Sequence, residues 1–465
     1  MSLSEKTVSR VGEVFRRAEL GDARLVRRSV GLAEALARSP RLSLPQVWAT
    51  SAELQAGYQF LRSPRTDFND LMEPVQLATR ERALEERSVL VLHDTTDVMC
   101  PAAEPEEVGF LQTGKAGFYV HHALCISADE TRRPLGILWS QLWGRPQRTQ
   151  GRAKRVTGGE LAKLDERESD RWLEGVTEAQ LWAEGCEQVV HVMDREGDSF
   201  RLFQHMKELD ADFVVRLRHD RGVEDGLLAE TLSEAPLKLR RRVSVTAREG
   251  KTMPSYTHKA RSARETELLV RCATVEIRPP NYLKKDAEPL ALNIVQILEE
   301  NPPPGTEPIA WVLATSLPIT TRAQIERIVD IYRARWTIEE FHKALKTGCM
   351  FEKRQLESFD SITTLLALCY PVACELLRVR SRARQPGLSA ADALRPSLLE
   401  CLRAHPQARK LPDNPTAQEA LEVIAGLGGH QKHNGPPGWQ SLAAGYTKLV
   451  EFEAGWLAAF AAKKM

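Results

Sequence analysis

Tyr332, Arg335, Glu339 and Lys346 place a phenol, two cations and a carboxylate at steps of three, four and seven within residues 328–348, IVDIYRARWTIEEFHKALKTG. Wound as a helix at about 100° per residue, the four fall within an arc of roughly 60°. Ile331, Ala334, Ile338, Phe341 and Leu345 recur at three- and four-residue steps on another face, the seam that docks a helix on a core. The polar set suits one metal-binding carboxylate flanked by groups that grip phosphate. The plainer reading is a solvated face on which Arg335 and Glu339 form an i,i+4 ion pair. Acids elsewhere decide between the two, because a hard cation such as Mg²⁺ is shared among further carboxylates, water and substrate phosphate.

Two such acids end apolar runs. Ser88-Val-Leu-Val-Leu-His93 leads into Asp94, and Gln188-Val-Val-His-Val-Met193 leads into Asp194. A continuous apolar run is the mark of a strand buried on both faces, and the residue after it emerges at the sheet edge where sites are built. Glu196 and Asp198 are close runners-up, with capping of the helix expected over 199–209 as their plainer role.

The elements that must position these residues follow from the chain in order. Residues 1–70 read as a helical module, with apolar spacing over 11–18, 25–38 and 52–61. Arg16, Arg17, Arg24, Arg27 and Arg28 cluster there, followed by Arg62 and Arg65, so the module is a candidate for docking on DNA phosphates. The strand ending at Asp94 is followed by strand-like runs over 117–127 and 134–143, in which His121 and His122 read as strand residues. A basic stretch over 145–159 reads as a mobile loop, then a helix over 168–184, the strand ending at Asp194, a second helix and a strand over 212–218.

Three strands, helix, strand, helix, strand, with acids closing the first and fourth strands, is the ribonuclease-H-like order. It makes the class α/β, a mixed sheet flanked by helices. The first and fourth strands are neighbours in it, so Asp94 and Asp194 can share a cation, with Glu339 as a third ligand from a later helix. The β-rich residues 220–310 read as an inserted β-domain within a catalytic domain of 71–385. Its basic turns, Arg240 to Arg242 and Lys284-Lys285, are candidates for DNA contact or for blocking edge-to-edge pairing. Trp311 is its aromatic of interest. Residues 386–465 read as a helical C-terminal domain, whose tail over 450–462, with Phe452, Trp456, Leu457 and Phe460, would bury against a second copy of the chain or cap its own core.

The 465 residues, 42% hydrophobic and 27% charged, suffice for two or three domains and a large core. A net charge of +1 gives no global field for polyanions, so any such contact needs local basic patches. Eight cysteines without a CxxC pair or Cys/His spacing argue against zinc and for a reducing, cytoplasmic setting. No eighteen-residue apolar run and no apolar N-terminal stretch point to a membrane or to export.

Residues 332–346 resemble, without a gap, the Tyr-x2-Arg-x3-Glu-x6-Lys signature of bacterial DDE cut-and-paste transposases of the insertion-sequence-four group. RWTIEEFHKALKTG looks especially like its Tn-five-like members. The resemblance extends to AELGDAR (18–24), GYQFLRSP (57–64), DTT (94–96), GFYVH (117–121), DRE (194–196), FVVR (213–216) and NPPPGTEPIAWVLATSLP (301–318), covering most of residues 10–355 in order.

The resemblance implies that Asp94, Asp194 and Glu339 are catalytic and hold two Mg²⁺ ions, for which Mn²⁺ would substitute. Tyr332, Arg335 and Lys346 would grip phosphates of the transferred strand, and Trp311 would stack on a flipped base. It further implies cleavage at the inverted repeats of a transposon, a hairpin intermediate, strand transfer into target DNA and a homodimer in a synaptic complex on the bacterial nucleoid. A non-catalytic DNA-binding regulator on the same scaffold, or a nuclease without joining activity, are the alternatives. The weaker match beyond residue 355 leaves the dimerising segment open.

Overall fold

The computed structural model describes residues 5–462 except 49, 147–157, 246, 248–249, 254–255, 259, 284–286, 384–386, 395, 409–410 and 432–436. Lys284, Lys285 and most of the loop expected over 145–159 lie outside the described residues.

Among the described residues, five helices precede the first strand: α1 Glu5–Val14, α2 Ala23–Arg38, the short α3 Leu44–Val47, α4 Ser51–Leu61 and α5 Phe68–Leu84. Asp22, Thr50 and Asp67 start α2, α4 and α5 by accepting from the backbone N–H of Arg24, Glu53 and Asp70, which satisfies donors the helix itself leaves free. Apolar spacing did not point to α5, in which Pro74 interrupts the helical pattern. The apolar stripe of these helices, including Phe15, Leu36, Phe60, Leu61 and Leu71, is buried in the same cluster as the central sheet.

The core sheet is made by β1 Ser88–Met99, β2 Gly117–Ser127, β3 Pro134–Trp143, β4 Gln188–Met193 and β5 Asp212–Arg216, with α6 Pro105–Val108, α7 Gly158–Trp182 and α8 Phe200–Glu208 between them. Its order is β3-β2-β1-β4-β5, antiparallel within β1 to β3 and parallel from β1 through β4 to β5. Consecutive apolar residues in β1 serve both faces. Val89 and Val91 pack with Ala179 of α7 and Ala183 just past it, while Leu90 and Leu92 join the large cluster on the other side.

The β-rich stretch continues this sheet. It comprises β6 Gly222–Val223, β7 Gly226–Leu227, α9 Leu228–Glu234, β8 Leu237–Val245, the small hairpin β9 Lys251–Met253 and β10 Tyr256–His258, then β11 Arg264–Ile277, β12 Leu290–Glu299 and β13 Ala310–Thr315. β13 lies antiparallel to β5, and β12, β11 and then β8 and β6 follow outward, giving eleven strands in one sheet among the described residues. The insertion expected over about 220–310 is thus a lateral extension of the core and not a separate β-layer. The basic run of β8 is matched by acids: Arg240 pairs with Glu267 and Glu300, and Arg241 with Asp330 at 2.8 Å.

Beyond β13 come α10 Arg322–Ala334, α11 Trp336–Lys343, a π-turn over Ala344–Gly348 and α12 Phe359–Ala383. Most of α12 is long and apolar enough by length and composition to cross a bilayer, yet 89% of that stretch is buried inside the protein, where it supports both the sheet and the N-terminal helices. The last helices, α13 Ala390–Ala393, α14 Pro396–Ala404, α15 Ala417–Leu427 and α16 Trp439–Ala462, enclose a small core of their own. Phe452 and Trp456 pack partly against it, and the side chains of residues 457 and 460 lie outside the described set. Trp439 and Leu442, at the start of α16, belong to the main core.

Candidate active site

Pairing of β1 with β4 runs from Ser88 and Gln188 to Leu92 and Val192, so Asp94 and Asp194 stand at the same level on adjacent parallel strands. Asp94 is drawn inward, its side chain 18% exposed. Burial, then the charge of Asp194 and that of Glu339, raise its carboxyl from 3.8 to about 8, against the pull of Arg335 and of the Thr95 N–H. Asp94 therefore lies within the fields of both Asp194 and Glu339. Glu339, on α11, accepts from Arg335 Nη2 at 2.7 Å, and Arg335 Nη1 stands 4.0 Å from Asp94 Oδ2. Among the described residues no three His, Cys, Asp or Glu side chains close around a single point, and the Arg335 guanidinium stands between Glu339 and Asp94.

The helix expected to carry Tyr332, Arg335, Glu339 and Lys346 on one exposed arc is not continuous. It breaks at Arg335 between α10 and α11, and α11 passes into the π-turn before Lys346. Tyr332 and Arg335 are 3% and 7% exposed, on the buried side, which corrects the expectation of a face clear of the core. Tyr332 takes a hydrogen bond from Arg216 of β5, and its ring meets that of Trp311 edge-on, centroids 5.1 Å apart. Burial alone would lower Arg335, but Tyr332, Glu339 and Asp94 together hold it above its ordinary value. Lys346 is held further along β1, its Nζ 3.0 Å from Asp97 Oδ1 and 3.5 Å from Glu352 Oε1. Trp311 is half-buried beside Tyr332, so five of the sequence candidates, Asp94, Tyr332, Arg335, Glu339 and Trp311, form one connected patch with Asp194 facing it.

Several neighbours carried no local signal. His93 and His191 share a hydrogen bond of 2.9 Å that ties β1 to β4 just inside the acids, and His191 is bonded on to Gln180 of α7 at 3.0 Å. His342 Nδ1 lies 4.0 Å from Asp94 Oδ2, and His342 is bonded to His122, which is bonded to Tyr370. Burial lowers all five of His93, His121, His122, His191 and His342, so they are neutral scaffolding. Arg216 lies within the motif FVVR, the one signal that would have found it. Trp336, 55% exposed, stacks on the Arg335 guanidinium at 5.1 Å.

The donor set suits divalent cations. Carboxylate oxygens are what hard cations take, and Asp194 and Glu339 add to the burial that raises Asp94, a crowding of carboxylates that a cation would relieve. β1 does not end at Asp94, as its apolar run suggested, but continues to Met99, while Asp194 is the first residue past β4; with a third acid on a later helix, this sheet order is consistent with a ribonuclease-H-like core. Residues 11–66 match the family model of the transposase DNA-binding domain, and residues 171–373 match that of the transposase DDE domain. Asp194, Trp311, Tyr332, Arg335, Glu339 and Lys346 fall inside the DDE match, whereas Asp94 precedes it. Among solved structures, the chain is similar to a piggyBac transposase seen by cryo-EM in a synaptic complex with hairpin DNA, at 10% identity, over 82% of this chain and 73% of that one, with a TM-score of 0.35.

Proposed function

We propose that this chain is a cut-and-paste DNA transposase of the insertion-sequence-four kind, acting on the inverted repeats of its own element as a homodimer in the bacterial cytoplasm. The reading is carried by the placement of Asp94 where the β1/β4 pairing ends, close enough to both Asp194 and Glu339 for their charges to act on its carboxyl. Those three residues would hold Mg²⁺, two ions in this reading, which when bound would supply charge neutralisation and Lewis acidity for in-line displacement at phosphorus. Arg335 keeps Glu339 and Asp94 oriented before the ions and the DNA arrive, and then turns its charge to the phosphate of the cut strand. Tyr332 and Lys346 bind phosphates of the same strand, and Trp311 offers its ring to an unpaired base. The exposed arginines of the N-terminal helices, Arg24, Arg27 and Arg28 among them, bind phosphates of the transposon end. One site then serves nicking, hairpin formation, hairpin opening and strand transfer in succession.

Asp194→Ala tests this. In Mg²⁺ the variant is expected to lose cleavage of the element's ends by at least about 10³-fold, as when a metal-activated displacement loses a ligand. Retention of the DNA in a gel-shift assay is expected to stay within about twofold. Cleavage at the parent rate would defeat the assignment. Joining of pre-cut ends to a target plasmid separates a transposase from a nuclease.

A further inference from the structure

Two of the three acids are oriented by backbone groups just beyond them. Asp94 Oδ1 accepts from Thr95 N at 2.9 Å, and Asp194 Oδ1 accepts from Glu196 N at 2.8 Å. One side chain from another element reaches both of those residues. Arg171, on α7, donates from Nε to Thr95 Oγ1 at 3.2 Å and from Nη2 to Glu196 Oε2 at 3.4 Å. The backbone pairing of β1 with β4 ends at Leu92 and Val192, two residues short of the acids, so a tie at their level has to come from side chains.

The arginine is itself held in place. Its side chain is 12% exposed, with Cζ 5.1 Å from the centre of the Trp143 ring and 5.7 Å from that of Trp172. Thr95 Oγ1 shares a further hydrogen bond of 2.9 Å with His121, whose ring meets Trp172 edge-on at 4.5 Å. We propose that Arg171 is a positioning residue for the catalytic carboxylates: by joining Thr95 to Glu196 it sets the separation and aim of Asp94 and Asp194. This rests on the cleavage activity proposed above. The forked guanidinium is needed, because a lysine ammonium at the same place keeps the charge but is a single point that cannot span both acceptors.

The test uses the full-length chain, end DNA and Mg²⁺ under single-turnover conditions with protein in excess. Arg171→Ala is expected to slow cleavage by about 100-fold, the scale of a carboxylate displaced by about an ångström, with end binding unchanged within about twofold. Arg171→Lys is expected to recover less than about tenfold of that loss. Thr95→Val, nearly isosteric, is expected to slow cleavage by about tenfold, and the double variant to be no slower than Arg171→Ala, because both changes cut one tie. Thr95→Val also serves where Arg171→Ala fails to keep the parent's thermal midpoint. Full rescue by lysine, or effects that multiply in the double variant, would overturn the proposal. A parent chain that leaves the DNA uncut would overturn the transposase reading and the inference with it.

Discussion

Asp94 keeps its proton because of what surrounds it. The unfolded chain releases that proton near 3.8, and the folded chain holds it to about 8. Between those values the native state binds more protons than the unfolded one, so stability falls as pH rises through the window. Asp94→Asn removes the titration. In EDTA its thermal midpoint is expected to equal the parent's near pH 4 and to exceed it by a few degrees at pH 8.5, followed by scanning calorimetry. The same offset at both pH values would mean that the carboxyl is not coupled to its neighbours. Adding Mg²⁺ at pH 8.5 should raise the parent's midpoint and leave the variant's nearly unmoved, since the cation binds the deprotonated carboxyl. Asp94 and Asp194 were legible in the sequence because each follows an unbroken apolar run, although β1 itself runs on past Asp94 to Met99. The histidines behind them were not, since the bonds of His93 to His191 and of His122 to His342 join strands or helices far apart in sequence.

At the scale of elements, a 3.6-residue pattern records which side of a helix is apolar but not where the helix changes direction. The break at Arg335 and the π-turn at Ala344–Gly348 left the apolar seam intact while carrying Lys346 away from Glu339 towards Asp97 and Glu352. Likewise, β8, β11, β12 and β13 were readable from alternating or β-branched runs, whereas the short β6, β7, β9 and β10 were not, and the attachment to β5 through β13 depends on a partner about 100 residues distant in sequence. α2 is a case where the local pattern suffices. Arg24, Arg27 and Arg28 follow an i, i+3, i+4 spacing from the capped start of the helix and are all exposed, so they present charge on one side. Replacing all three by alanine is expected to weaken end binding most at low salt. Removing an arginine that touches a phosphate should flatten the plot of log affinity against log salt by about 0.9, a total of roughly two to three if all three do so. Fluorescence anisotropy between about 50 and 200 mM salt measures this. An unchanged slope would place the DNA on another face of the module.

The whole molecule is less divisible than its modules suggest. Residues 11–66 match a DNA-binding domain, yet Phe15, Leu36, Phe60 and Leu61 are buried in the cluster that contains β1, β2 and α12. Arg354, 7% exposed and just past the active-site turn, donates to the carbonyls of Leu42, Pro40 and Cys349, and Thr364 of α12 donates to Thr66 O at 2.9 Å. Cutting the chain near residue 70 would expose those four large side chains, each worth about 2 kcal/mol when buried, and leave the arginine's buried donors without partners. A helical fragment of this size has little other core to offset the loss. Residues 1–70 made alone are therefore expected to keep helical circular dichroism but to lack a cooperative melt and to bind end DNA poorly. In the full chain the amides of α2 and of β1 are expected to lose protection from hydrogen exchange at the same urea concentration, because they open in one cooperative unit. A fragment with a sharp thermal transition, or α2 amides that exchange well before those of β1, would show that the N-terminal helices hold themselves together. The shared core would then be a docking surface between independent domains.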